Sequence, residues 1–276
     1  MAAFEFGQTF AIARKEFRDR LRSRWALTVA AVFTVFALSI AYFGAAQQGA
    51  VGFRGIELTI ASLVSLAIYL MPLIALILGY DAIVGERERG SLDLLLSLPI
   101  TRLELLLGKY LGLTAALAFA TLLGFGLVGI AIGWLGGGYA LFHYGGFMLS
   151  ALLLGMVFLS LAVLVSTFAR GKSAASGAAI GLWFVFVLIY DLMLLGALVA
   201  SQGGMPAWLV SALVLLNPTD IFRLLNIFSL EELKSLYGLA TVAPETLTEP
   251  WVLGLAMAAW IVAPLGLAYA RFRKVV

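Results

Sequence analysis

The chain has no cysteine and one histidine, His143, among its 276 residues. Disulfides, thiolate nucleophiles and thiolate metal ligands are thereby excluded, and a lone imidazole makes no metal site. Charge is also scarce: 12% of residues are charged and 63% are hydrophobic, with a mean hydropathy of +1.05. That balance excludes an ordinary soluble domain and points to lipid as the solvent. Low-complexity tracts and internal repeats are missing too, so one membrane domain is expected. A cleavable secretory signal is not evident, because Glu5, Glu16, Asp19 and six basic residues precede the first long apolar run. The seven methionines are scattered, with no clustered pair to relay copper(I). The net charge of +3 is informative through its distribution rather than as a sign of nucleic-acid binding.

What is present is a series of apolar runs. Crossing about 30 Å of hydrocarbon takes roughly 20 helical residues. Residues 25–43, 59–80, 110–135, 147–168, 175–199 and 250–270 qualify, with Asp191 the one charge inside them. Backbone groups in lipid must be paired within the segment, and no alternating barrel pattern is seen, so all six are predicted to be helices. Arg14, Lys15, Arg18, Arg20, Arg22, Arg24, Arg87, Arg89, Arg102, Lys109, Arg170, Lys172, Arg271, Arg273 and Lys274 fall on one side of this arrangement. Only Arg54, Arg223 and Lys234 fall on the other. The positive-inside rule then predicts both termini in the cytoplasm and residues 200–249 outside.

Residues 1–24 form the first cytoplasmic element. Phe6, Phe10, Ala13, Phe17 and Leu21 share one helical stripe beside Arg14, Lys15, Arg18 and Arg22, which predicts an amphipathic interfacial helix. The second element is the loop between spans two and three. Ser91 is positioned to cap a short helix with Asp93 in its first turn and Pro99 beyond its end, and Thr101 with Glu104 fits a capping box opening the next helix. A cytoplasmic helical hairpin is expected, with Leu92, Leu95 and Leu96 as its apolar face and Glu86, Arg87, Glu88 and Arg89 as a charged strip before it.

The run Gly85-Glu86-Arg87-Glu88-Arg89-Gly90-Ser91-Leu92-Asp93, followed by Leu98-Pro99-Ile100-Thr101-Arg102 and Gly108-Lys109, resembles the signature of ABC-2 type permeases, or type V exporters. The stretch from Ile12 to Asp19 resembles the start of the same family. This resemblance implies a homodimer of six-span permeases contacting a cytoplasmic ATPase dimer that holds ATP and Mg. It implies coupling roles for Arg14, Glu16, Glu86, Arg87, Glu88, Gly90, Ser91, Leu92, Leu95 and Pro99. Within the family, Asn217 to Asn226 resembles permeases of nitrous oxide reductase maturation. That implies a periplasmic accessory partner and a sulfur-containing cargo for a copper-sulfur centre, with export of a lipid, glycan or drug as the alternative.

Gly171-Lys172-Ser173 looks like the end of a phosphate loop, but Ser166 stands where that pattern needs its first glycine, so an ATPase is expected on another chain. No metal ligand set or nucleophile with its base can be assembled, which disfavours an intramembrane enzyme. Asp191 is the only acidic residue inside a span and stands nearly alone there as an ionisable group, which disfavours an ion-coupled carrier. Asp191 either faces a translocation path or reaches the outer interface. In the outer segment, Thr219 or Asp220 is expected to cap one helix and Ser229 with Glu232 the next. Asp220, Phe222, Arg223 and Leu224 would then form a docking surface, or the same helices would form a lid. Gly129, Gly133 and Gly137, and Gly177 and Gly181, form small-residue faces for packing within or between chains. Gly136 to Gly138 is expected to be an outer turn.

Overall fold

The computed structural model describes residues 5–43, 56–202, 204–227 and 249–274, and every regular element among them is helical. The helices are α1 (Phe6–Arg22), α2 (Trp25–Phe43), α3 (Ile56–Gly79), α4 (Val84–Glu88), α5 (Ser91–Leu96), α6 (Arg102–Phe168), α7 (Lys172–Phe184), α8 (Tyr190–Ala200), α9 (Ala207–Leu215), α10 (Pro218–Ile227) and α11 (Pro250–Phe272). A π-helical segment, Val185–Ile189, joins α7 to α8.

Five stretches are long and apolar enough to cross a membrane: Thr59–Glu88, Arg102–Trp134, Gly137–Phe168, Lys172–Ala200 and Pro250–Phe272. Two bent pairs meet the same test only when joined, α1 with α2 at 63° and α9 with α10 at 105°. The all-helical membrane fold is as the apolar runs predict, with five to seven crossings.

α6 supplies the third and fourth runs without an intervening loop. The expected outer turn is reduced to one residue, Gly137, at φ 70° and ψ −163°, a region open essentially to glycine alone. The two arms then return antiparallel. Tyr144 Oη donates to the Phe125 carbonyl at 2.8 Å, and Tyr110 Oη donates to that of Met156 at 3.1 Å. A Cβ on Gly129 would lie 2.9 Å from the Tyr144 ring, and one on Gly133 would touch Leu141. That small-residue face is therefore spent inside the protomer.

Around this hairpin pack α2, α3 and α11, burying Phe33, Phe125, Phe147, Phe158 and Met71. α2 comes so close to α6 that a Cβ on Gly124 would meet Phe33 Cβ at 2.6 Å. Pro264 inside α11 cannot donate to the Trp260 carbonyl one turn earlier. The Ser160 hydroxyl of α6 donates to that carbonyl at 3.1 Å, which pairs a backbone group that lipid could not. The expected capping box at Thr101 and Glu104 is formed, and Glu104 also accepts from the backbone N–H of Glu5. The lysines and arginines of α1, α4, α6, α7 and α11 gather at one end of the bundle, where Arg102 Nη1 donates to the Arg273 carbonyl at 2.6 Å. We call this the basic end.

Candidate functional site

At the basic end, Gly108 and Gly112 give α6 a bare stripe on which α1 lies. A Cβ on Gly112 would stand 2.5 Å from the Ala13 carbonyl oxygen, and one on Gly108 would stand 2.7 Å from Ile12 Cβ. The contact is close enough to bury charge. Lys109 Nζ reaches Glu16 Oε1 at 2.7 Å and Glu86 Oε1 at 3.1 Å. The three side chains are 4%, 9% and 10% exposed respectively. The Ser91 hydroxyl also donates to the Glu86 carboxylate. One ammonium thus joins α1, α6 and the segment after α3, in surroundings where removing one partner strands the others. Glu16 and Glu86, expected on a surface facing an ATPase, instead turn inward as parts of this strut.

The rest of the charged strip is also engaged within the chain. Arg87 Nη1 donates to the Ala169 carbonyl at the end of α6, at 3.1 Å. Glu88 Oε1 accepts the Lys172 N–H at the start of α7, at 2.7 Å. Each charge meets the helix end of opposite partial charge, so the pair fastens the connection between the fourth and fifth runs. Ser166 Oγ accepts from the N–H groups of Ile83 and Val84 at 2.9 and 3.0 Å. Ser91 is not the cap of α5. Gly90 at φ 70° occupies that place, and the hydroxyl is committed to Glu86.

α5 is consequently a short knob with a defined outer face. Leu92 is buried in the core and Leu95 and Leu96 are packed against it, so the expected Leu92, Leu95 and Leu96 face is formed but turned inward, away from a partner. Leu94 and Leu98 are the leucines left in the open, 74% and 52% exposed. Asp93, Ser97 and Pro99 are exposed beside them. The i, i+3, i+4 spacing of Leu92, Leu95 and Leu96 marks the face that packs inward, and Leu94 and Leu98 fall off it.

At the opposite end, α10 folds into the bundle. Asn217, Thr219, Asp220, Phe222 and Leu224 are buried, so Asp220, Phe222 and Leu224 present no outer docking surface. The reason is the π-helical segment, whose widened turn leaves the Phe186 carbonyl available. Asn217 Nδ2 donates to it at 3.1 Å and Thr219 Oγ1 at 3.3 Å. Asn217, not Thr219 or Asp220, caps α10: its Oδ1 accepts the Thr219 N–H at 3.1 Å. Arg223 then spans two carboxylates, Asp191 Oδ2 at 2.7 Å and Asp220 Oδ1 at 2.6 Å. Asp191 therefore neither stands alone nor simply reaches an interface. Further along α10, Asn226 Nδ2 donates to Ser150 Oγ at 2.9 Å. Ser229 and Glu232, the second expected capping pair, lie outside the described residues, as do Arg54 and Lys234.

Beside Ser150 and Asn226 lies a cavity of about 790 Å³, with Leu141, Phe142, His143, Leu149 and Gly254 among its walls. His143 is in contact with the rings of Tyr139 and Phe142. Among the described residues, no three His, Cys, Asp or Glu side chains come together to hold a metal.

Two comparisons bear on this arrangement. Residues 10–275 match the family described as ABC-2 family transporter protein. The chain is 48% identical over 271 residues to a protein of Stutzerimonas stutzeri named "Probable ABC transporter permease protein NosY", covering 97% of this chain and 98% of that one. A protein of the same name from Pseudomonas aeruginosa strain PAO1 is 49% identical over 271 residues, covering 96% and 98%.

Proposed function

The chain belongs to the ABC-2 family of transporter proteins, and from that premise we propose that it is the homodimeric permease of an ATP-driven exporter whose ATPase is a separate cytoplasmic chain. The observation that carries the reading is the basic-end knob. Leu94 and Leu98 stand in the open, while the segment behind them is tied through Glu86 and Lys109 to α1 and α6. A push on α5 would therefore be felt at once by the interfacial helix α1 and by the membrane helix α6. ATP and Mg belong to the partner, whose dimer would place one groove under each knob.

In this reading the membrane is crossed six times. α2 and the five long stretches cross, α9 and α10 fold back, and both termini face the cytoplasm. Dimer formation is supported by the run Lys172–Ala200, whose apolar 18-residue stretch is only 6% buried in the protomer, against 22% for Pro250–Phe272 and 50% to 61% for the second to fourth runs. Gly177 and Gly181 on it have nothing within 4 Å of an added Cβ, which leaves a close-approach face for a second copy.

The cargo proposed is a sulfur-containing species, delivered to the periplasm with the help of an accessory protein for the copper-sulfur centre of nitrous oxide reductase. Similarity along the chain to two proteins named NosY supports it, together with the stretch from Asn217 to Asn226. Two experiments test the parts separately. Affinity purification in detergent should bring down an ATPase, and its absence from an active preparation would end the transporter reading. Deleting the gene should leave the reductase without its full cluster when copper and sulfur are supplied separately; a complete cluster would remove the cargo and leave the transporter standing.

A further inference from the structure

We propose that the cleft between α1 and the first arm of α6 is a binding site for one anionic phospholipid. The cleft has a volume of about 460 Å³ and is lined by Phe6, Thr9, Phe10, Ala13, Arg14 and Phe17 of α1 with Leu111 and Ala115 of α6. That size lies within the range of sites for small amphiphilic ligands, roughly 300–1,000 Å³. The walls are apolar and point outward. Phe10 is 70% exposed, a state that an apolar neighbour relieves in a membrane-bound helix. Phe17 closes the inner end with its ring edge-on to Phe119, centroids 6.2 Å apart.

The polar features match the remainder of such a lipid. Arg14 lines this cleft and also an adjoining groove that holds Arg18, Lys15 and Asp19. Lys15 pairs with Asp19 at 3.3 Å, whereas Arg14 and Arg18 make no ion pair or hydrogen bond among the described residues. Two unpaired guanidiniums one helical turn apart make a fork for a phosphodiester. Thr9, 5% exposed, has a hydroxyl with no hydrogen-bond partner among the described residues. Thr9 also lines the cleft, where a glycerol ester carbonyl would be an acceptor for it. An unsatisfied buried hydroxyl is rare enough to want such an acceptor. Arg14 thereby acquires a role directed at lipid instead of an ATPase. The inference rests on the chain crossing a membrane and is independent of what it transports.

The test is native mass spectrometry of the full-length protein released from nanodiscs holding equal phosphatidylglycerol and phosphatidylcholine. The wild type should retain one phosphatidylglycerol per chain in preference to phosphatidylcholine. Replacing both arginines, Arg14→Gln with Arg18→Gln, should lower that preference about thirtyfold, roughly fivefold for each charge. Ala115→Phe, a change at an exposed position on the cleft wall, should abolish retention of either lipid. Inorganic phosphate should displace neither. The altered side chains are exposed, so melting temperatures should match the wild type, and Arg14→Gln alone provides a milder variant. Unchanged retention in the arginine or phenylalanine variants, equal retention of both lipids, or displacement by phosphate would overturn the site. Arg14→Gln that releases an ATPase while keeping the lipid would overturn it in favour of a protein contact.

Discussion

Asp191 of α8 and Arg223 of α10 meet at 2.7 Å, although the sequence separates them by a stretch that reads as external. Their environments make them unequal. Asp191 is 32% exposed, and its loss leaves Arg223 bound to Asp220; the loss of Arg223 leaves two carboxylates facing each other, one of them only 7% exposed. Arg223→Ala should therefore destabilise the protein by about 2–3 kcal/mol after allowance for partial solvation, and Asp191→Asn by about 1 kcal/mol. Thermal unfolding in detergent measures both, and equal effects would refute the inequality.

Lys109→Met should be more damaging than either. It strands Glu16 and Glu86 in a buried place, at about 3–5 kcal/mol. Glu16→Gln keeps a hydrogen-bonding group beside the ammonium and should fall well short of that. A melting curve for Lys109→Met at the wild-type position would show that the strut contributes nothing.

The knob and the strut should separate in their effects. Leu94→Asp changes an exposed side chain, so folding and insertion should persist while ATPase association and transport decline together. Leu92→Asp places a carboxylate in the core and should impair folding itself, by several kcal/mol. Intact ATPase binding in the Leu94 variant would remove α5 as the contact.

Glycines test the two helix faces against each other. Gly112→Ala must move α1, because the added methyl meets a backbone oxygen at 2.5 Å, and about 1–3 kcal/mol of strain is expected. At Gly177, which is exposed, an added Cβ meets nothing within 4 Å in the protomer, and Gly177→Leu tests that open face. It should leave the melting temperature of the monomer unchanged and convert dimers to monomers in light scattering. A stable dimer would place the second copy on another face.

The absence of native cysteine makes topology directly measurable. Single cysteines in place of Ser23, Ser97, Gln202 and Lys274 can be probed with an impermeant thiol reagent in sealed cells. Position 202 should label from outside, and positions 23, 97 and 274 only after lysis. Outside labelling at 97 would reverse the orientation.

The apolar runs, the basic end and the Thr101–Glu104 capping box were legible because each is a local pattern with a local cause. The strut was not, since nothing in the spacing of Glu16, Glu86 and Lys109 says that Gly108 and Gly112 let α1 settle on α6. Gly108 and Gly112 do stand four residues apart, and that spacing was the available signal. α10 was misplaced for a different reason. Neither α9 nor α10 is long enough to qualify as a crossing, and the polar residues Asn217, Thr219, Asp220 and Arg223 read as solvated until the Phe186 carbonyl of the π-helical segment takes the first two and Asp191 of α8 takes Arg223.

Gly137 has a mechanical corollary. Because the chain reverses there on one residue, the third and fourth crossings have no slack between them. Neither arm can slide along its neighbour, rotate about its own axis or tilt without carrying the other, unless a helical turn melts. They form one tweezer-shaped piece, jointed at the tip, and that piece also carries Lys109 at the far end of one arm and Ser166 at the far end of the other. A transporter assembled this way has fewer independently moving parts than its number of crossings suggests, and a force applied at the basic end arrives at Gly137 as bending.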